Sequence, residues 1–306
     1  MVTASHIREA EARIQPIAHR TPVLTSRLVD AAIGLRCHFK CENFQRGGAF
    51  KIRGATNFLF SILPEEIGRG VVAFSSGNHA QAVAIAAAYK NTTATIVMPN
   101  DAPKAKLDAT RAYGATVIQY DRFTQDREAI GARIAAETGA TLVPPFDHPW
   151  IIAGQGTAAL ELLEETPDID ALVVCLGGGG LLSGSAIIAK AIRAGIRVFG
   201  VEPEAGNDYY LSRKAGDRVT IPHPDTIADG LRATKPGALT FPIIESLVEE
   251  ILLVSDKEIL AAMELLRTRM KIVVEPSGAV AAAACLFHKL PADIRSAGII
   301  LSGGNL

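Results

Sequence analysis

The chain alternates between short β-branched apolar runs and alanine-rich stretches for most of its length. VVAF (71–74) is followed by AQAVAIAAAYK, TATIVMP (93–99) by KAKLDATRAYG, and TVIQY (116–120) by DREAIGARIAAETG. Further on, ALVVCL (171–176) leads into LLSGSAIIAKAIRAG, and RVFGVEP (197–203) and AGIILSGG (297–304) are runs of the same kind. Continuous apolar runs predict strands buried on both faces, and the intervening helices supply the cover. The pattern therefore predicts an α/β fold built on open parallel sheets. SDKEILAAMELLRTRM begins with Ser255 and Glu258 at capping-box spacing, which predicts a helix start. The stretch 65–148 has enough alternation to close as its own small α/β unit. The chain would then leave a larger domain after 1–64 and return to it over 149–306. No internal repeat or low-complexity tract interrupts this plan.

Composition narrows the function classes. The 306 residues carry 31 Lys and Arg against 32 Asp and Glu, a formal net charge of -1. That balance argues against nucleic acid as a partner, since phosphate backbones demand a basic surplus. No uninterrupted apolar run is long enough to cross a membrane, and the charged, amphipathic start MVTASHIREAEARI lacks the apolar core of a secretory signal. A cytoplasmic protein is expected. Cys37 and Cys41 flank His38 in CHFKCEN, but the spacing is not that of a zinc ligand pair and no second pair follows. The four cysteines, 37, 41, 175 and 285, read as reduced, buried small hydrophobes.

Two strand-to-helix junctions are loaded with chemistry. Ligands of open parallel sheets gather at the carboxyl ends of strands, beside helix N-termini. At the first junction Gly177, Gly178, Gly179 and Gly180 leave backbone N–H groups bare where a helix dipole adds positive potential, a cradle for phosphate rather than a simple turn. Glu202 follows at about the distance of a ribose-binding acid. The dinucleotide fingerprint G-x-G-x-x-G nevertheless fails, because the third glycine position falls on Leu182 or Ser183. The second junction, Ser75-Ser76-Gly77-Asn78-His79, offers hydroxyls, an amide and N–H groups that suit a carboxylate, and equally an ordinary helix cap. Lys51 follows Gly47, Gly48 and Phe50 at an expected helix start. A lone lysine is ordinarily a solvated surface residue, but one placed near a phosphate cradle has the setting of a Schiff-base lysine.

Together these segments resemble the serine/threonine dehydratase family, fold-type II enzymes dependent on pyridoxal 5'-phosphate (PLP). The resemblance runs from about Ile7 to Asn305, with FQRGGAFKIRGA, SSGNHAQ, IAGQGT, GGGGLLSG, VEPEAGND, TIADGL, EPSGA and LSGGN in family order. It implies two α/β domains with the cofactor between them: a large PLP-binding domain (1–64 plus 149–306) and a small substrate-binding domain (65–148). It also implies a role for each matching position. Lys51 would bind PLP covalently, with Phe50 beside the cofactor ring, Asn78 at its hydroxyl and Ser302 at its nitrogen. Gly177, Gly178, Gly179, Gly180 and Leu181 would hold the phosphate. Ser75, Ser76, Gly77 and His79 would hold the substrate carboxylate, with Ser76 on the face opposite Lys51. Glu202 and Asp208, with the carbonyl of Gly206, would ligate a structural divalent cation, Mg2+, Ca2+ or Mn2+. Two positions depart from relatives, Ala49 where many have serine and Ala233 after TIADGLR.

The activity implied is β-elimination from a small-molecule β-hydroxy-α-amino acid, threonine- or serine-like or bulkier, to a 2-oxo acid and ammonia. A serine at the ring nitrogen supplies no negative charge, so the ring is a weaker electron sink. That favours rapid elimination over transamination. An amino-acid racemase using Lys51 and Ser76 is the nearest alternative. A catalytically silent amino-acid-binding regulatory protein is an alternative of another class, and intact Lys51 and glycine loop argue against it. The family resemblance further implies a homodimer.

Overall fold

A computed structural model describes residues 1–306, the side chain of Ala105 excepted. Ten strands form two sheets: β1 (Val23–Leu24), β2 (Arg36–Cys41), β3 (Val71–Phe74), β4 (Ala94–Pro99), β5 (Thr116–Tyr120), β6 (Thr141–Leu142), β7 (Ala171–Cys175), β8 (Arg197–Pro203), β9 (Glu250–Val254) and β10 (Ser296–Leu301). The larger sheet has the order β1-β2-β10-β7-β8-β9 and the smaller β5-β4-β3-β6. Every pairing is parallel except that of β1 with β2. The chain leaves the larger sheet after β2, builds the whole smaller sheet, and comes back at β7.

All six apolar runs are strands, with bounds displaced by a few residues at most. Four further strands escaped the pattern. β2 contains His38 and Lys40, which break its apolar run, yet Lys40 is fully buried. β9 is an edge strand beginning at an exposed glutamate, and β1 and β6 are two residues each. In β2 the side chains alternate, so Cys37 and Cys41 share one face and His38 takes the other. Both thiols are buried, free and pushed up from their ordinary range by burial, as expected of cysteines acting as small hydrophobes. The helix expected after Ser255 spans Asp256–Arg269, and its capping box forms in full.

Helices Lys51–Ser61, Pro149–Glu165 and Gly180–Ile192 stack backbone to backbone. A Cβ on Gly154 would sit 2.7 Å from the carbonyl oxygen of Arg53 and from Cα of Gly54. One on Gly156 would sit 2.8 Å from the carbonyl oxygen of Gly184. Spacings below 3 Å leave no room for any side chain, so glycine is required at both crossings. Ile52, Ala55, Phe58 and Leu59 turn to the core of the smaller sheet, so helix Lys51–Ser61 lies where the two sheets' layers meet.

Candidate active site

The carboxyl ends of β3, β7 and β10 supply three loops, and Lys51 starts a helix that faces them. Its backbone is set by the last loop: Ala49 bridges to Gly303, and the N–H of Phe50 donates to the carbonyl of Ser302 at 3.0 Å. Gly47 and Gly48 take φ of 72° and 74° to bring the chain there, and a Cβ on Gly48 would strike the Asn305 side chain. Nζ of Lys51 donates to the carbonyl of Pro145 at 2.7 Å and stands 5.3 Å from the centre of the Phe50 ring. Burial lowers its pKa to about 8, so a working fraction of the amine is free base near neutrality.

The glycine loop lies alongside. Phe146, next to Pro145, packs where Cβ atoms on Gly178 or Gly180 would go, and Gly179 has φ 88° with Tyr209 against it. Tyr209 Oη donates to the carbonyl of Gly178 at 3.0 Å and bonds Thr240 Oγ1 at 2.6 Å, so the loop is clamped from behind. Among the described residues no protein acceptor meets the N–H groups of Gly177, Gly178, Gly179, Gly180 or Leu181. Unpaired donors at the N-terminus of helix Gly180–Ile192 are what a phosphate requires. The Leu181 side chain is buried in the core, so only its backbone is available to a ligand.

The loop after β3 has the same character. Ser75 Oγ accepts from the N–H of Gly77 at 3.2 Å, while the N–H groups of Ser76, Asn78 and His79 meet no protein acceptor among the described residues. His79 is buried, and its Nε2 lies 3.2 Å from the carbonyl of Val143. Burial, and then the charge of Lys51, press its pKa to about 3, so the ring is neutral. With Nε2 committed to Val143, only Nδ1 of His79 remains for another group. Asn78 Nδ2 donates to Glu275 Oε1 at 2.7 Å, and Asn78 Oδ1 accepts from Asn305 Nδ2 at 2.8 Å. Ser302 is buried, with Oγ 3.4 Å from the carbonyl of Ser277.

Lys51, Phe50, Asn78, Ser302 and the two N–H cradles are thus drawn together by the sequence motifs named above. Glu275 and Asn305 were visible only as letters of EPSGA and LSGGN. Tyr209, Thr240 and Pro145 gave no signal, because their roles arise from tertiary contact alone. Burial raises Glu275 to about 7, so its carboxyl is near half-protonated at neutral pH. A second cross-connection was also unsignalled: Lys106, on the smaller sheet's helix Lys104–Ala112, reaches Asp229 of the TIADGL segment at 2.6 Å.

Glu202, Gly206 and Asp208 stand apart, behind the glycine loop. The oxygens of Glu202 accept from the N–H groups of Tyr209 and Tyr210 at 3.1 and 2.9 Å. Both carboxylate oxygens of Asp208 are buried without a hydrogen-bond partner. Burial pushes Asp208 up to about 7, and burial with the neighbouring Asp208 charge pushes Glu202 well up.

Two parallel-sheet units meeting at a half-buried lysine, an N–H cradle and a second helix start with unpaired N–H groups have the fold-type II architecture of PLP enzymes. The chain matches the model of the pyridoxal-phosphate dependent enzyme family over residues 14–303, and it belongs to that family. It is 52% identical to L-threo-3-hydroxyaspartate ammonia-lyase of Saccharomyces cerevisiae, over 99% of this chain and 93% of that one. It is 49% identical to serine racemase of Schizosaccharomyces pombe, over 99% and 94%. The structure of maize serine racemase superposes with a TM-score of 0.97 at 45% identity, covering 100% of this chain and 94% of that one.

Proposed function

We propose that this chain is a PLP-dependent ammonia-lyase that removes water and then ammonia from a β-hydroxy-α-amino acid, with L-threo-3-hydroxyaspartate as the first substrate to test. One observation carries the reading: a lysine amine, lowered by burial so that part of it is free base near neutrality, stands between two sets of unpaired N–H donors. One set suits a phosphate and the other a carboxylate. The substrate choice rests on the yeast relative named above.

When bound, PLP supplies a sink for the electron pair left on Cα as its proton departs. The N–H groups of Gly177 to Leu181 would hold the phosphate, and Lys51 would anchor the other end until the amine of the substrate takes its place. Phe50 would line the cofactor ring, Asn78 would serve its hydroxyl, and Ser302 would serve its nitrogen. The N–H groups of Ser76, Asn78 and His79 hold the substrate carboxylate, with Ser75 bracing the turn. Lys51 takes the Cα proton as a neutral amine. The Cβ–O bond then breaks, and the hydroxyl departs as water with the proton that Lys51 took. The released enamine tautomerises and hydrolyses to the 2-oxo acid and ammonia. Glu202, the carbonyl of Gly206 and Asp208 would hold a divalent cation. The unpartnered Asp208 oxygens support it, because hard carboxylate oxygens buried without donors are what such an ion satisfies.

A racemase is the second reading, favoured by the 49% identical serine racemase and by Ser76 in the carboxylate loop. Incubation with the isomers of 3-hydroxyaspartate, serine, threonine and phenylserine, scored for 2-oxo acid and for inverted amino acid, separates the two. Elimination from an L-isomer is expected to dominate. Lys51→Ala is expected to cut turnover by about 10³-fold or more while the far-ultraviolet circular dichroism stays unchanged. Wild-type turnover in that variant would overturn the assignment of Lys51.

A further inference from the structure

On the side of helix Lys51–Ser61 away from the cleft lies a sealed cluster of charge. Lys51 and Arg53 are two positions apart, roughly 200° around the helix, so they project to opposite sides. Arg53 is fully buried. Its Nε and Nη2 donate to the two oxygens of Glu42 at 2.7 and 2.8 Å. Its Nη1 and Nη2 donate to the two oxygens of Glu161 at 2.6 and 2.8 Å. Nη1 also reaches Thr157 Oγ1 at 3.1 Å, and Nη2 reaches the carbonyl of His19 at 3.2 Å. Lys40, also fully buried, completes the set with Nζ 2.6 Å from Glu161 and 2.6 Å from the carbonyl of Thr21. Two cations and two carboxylates are therefore paired with no water-facing side.

Stability alone is a poor reason for such a cluster, because burying ion pairs costs desolvation that apolar packing would avoid. The glycine crossing described above points to another reason. Helix Lys51–Ser61 meets helix Pro149–Glu165 through bare backbone at Gly54 and Gly154. Ile52, Ala55, Phe58 and Leu59 in the core and Asn57 Nδ2 on the carbonyl of Trp150 at 2.6 Å hold the helix in place, but at the crossing itself bare backbone leaves its exact turn about the axis to finer ties. Two bidentate carboxylate forks, one from the turn after β2 and one from helix Pro149–Glu165, supply them. We propose that the Arg53–Glu42–Glu161–Lys40 cluster is a positioning device for the reaction: it sets the rotation of helix Lys51–Ser61 and so the place of the Lys51 amine. The inference rests on the assignment of Lys51 made above. A turn of about 10° carries an atom lying about 8 Å from a helix axis by more than about 1 Å, and misplacement of that order costs about a hundredfold in rate.

The test uses purified holoenzyme. Arg53→Lys keeps the charge balance and loses the fork. The double variant Arg53→Met with Glu42→Gln removes one cation and one anion and leaves Lys40 paired with Glu161. For folded variants with cofactor content matching wild type, the expected result is a fall in kcat of about 10- to 100-fold and a KM within about twofold. A displaced pH midpoint of the visible absorbance of the bound cofactor is expected alongside. A melting temperature that falls while kcat and the pH midpoint stay at wild-type values would overturn the proposal. If neither variant accumulates folded, Thr157→Val carries the test, since it removes one Nη1 acceptor and no charge. A fall in kcat restored by Thr157→Ser supports the device, and wild-type kcat and pH midpoint in Thr157→Val reject it. Lys51→Ala serves as the control. If it keeps a pH-dependent band, the lysine assignment fails. If it loses the band while the Arg53 variants match wild type, that assignment stands and the positioning role falls.

Discussion

Ser76 makes no side-chain hydrogen bond to any described residue, whereas Ser75 beside it is engaged by the N–H of Gly77. A free hydroxyl in the carboxylate loop is what separates the two activities weighed above. On the proposed mechanism both begin with loss of the Cα proton to Lys51, so only a donor on the opposite face distinguishes them. Ser76→Ala is expected to lower any racemisation by about 10²- to 10⁴-fold, the span of a positioned acid or base, and to retain part of the elimination from L-substrates. Chiral chromatography of both products from wild type and variant checks this. Racemisation that survives in Ser76→Ala would remove the serine from the opposite-face role. At this scale the sequence was readable where a residue type is itself the chemistry, as with Lys51, the glycines and Asn78. It was silent on Glu275 and Asn305 as the partners of Asn78, because residues distant along the chain become neighbours only in the folded molecule.

Strand-to-helix junctions carry the site, and the glycine loop shows why its composition is so narrow. Gly179 sits at φ 88° with the Tyr209 hydroxyl against its open side, and Gly178 faces Phe146. Gly179→Ala forces an L-residue into left-handed backbone, a cost of roughly 1–2 kcal/mol, and displaces the Tyr209 clamp as well. Gly178→Val keeps ordinary backbone but collides with Phe146. Both are expected to weaken PLP retention by about tenfold or more, read from cofactor content after dialysis and from reconstitution titrations. Undiminished affinity in both variants would place the phosphate elsewhere. The elements themselves were legible where an apolar run is unbroken, as in β3, β4, β5, β7, β8 and β10. β2 was not, since its Lys40 becomes a core residue only because Glu161 arrives from a helix far along the chain.

The molecule as a whole is expected to respond to chelation in a pH-dependent way. Asp208 titrates at about 7 when buried without a cation, against an ordinary 3.8, and Glu202 is raised with it. Such groups bind more protons folded than unfolded. Their contribution is therefore intact below pH about 4 and is lost as pH rises through about 7. Melting in EDTA is expected to weaken between about pH 4 and pH 7, and Mg2+, Ca2+ or Mn2+ at a hundredfold excess over Kd to restore about 2.7 kcal/mol, roughly 5 °C. Melting curves indifferent to every one of these ions would return the segment to an ordinary acidic turn. The two-sheet plan followed from the alternation of runs, whereas strand order did not, because the last strand of the chain inserts into the middle of the larger sheet. β10 lies between β2 and β7, pairing Ser296 with Arg36 and Ala297 with Ala171. During synthesis the middle of that sheet stays open until residues 296–301 emerge, so β2 waits through the making of the entire smaller sheet for its partner. The same late segment carries Ser302 and Gly303, which fix the turn ahead of Lys51. A nascent chain lacking it has the lysine and both cradles encoded but not assembled, so the site comes into being with the closing of the sheet.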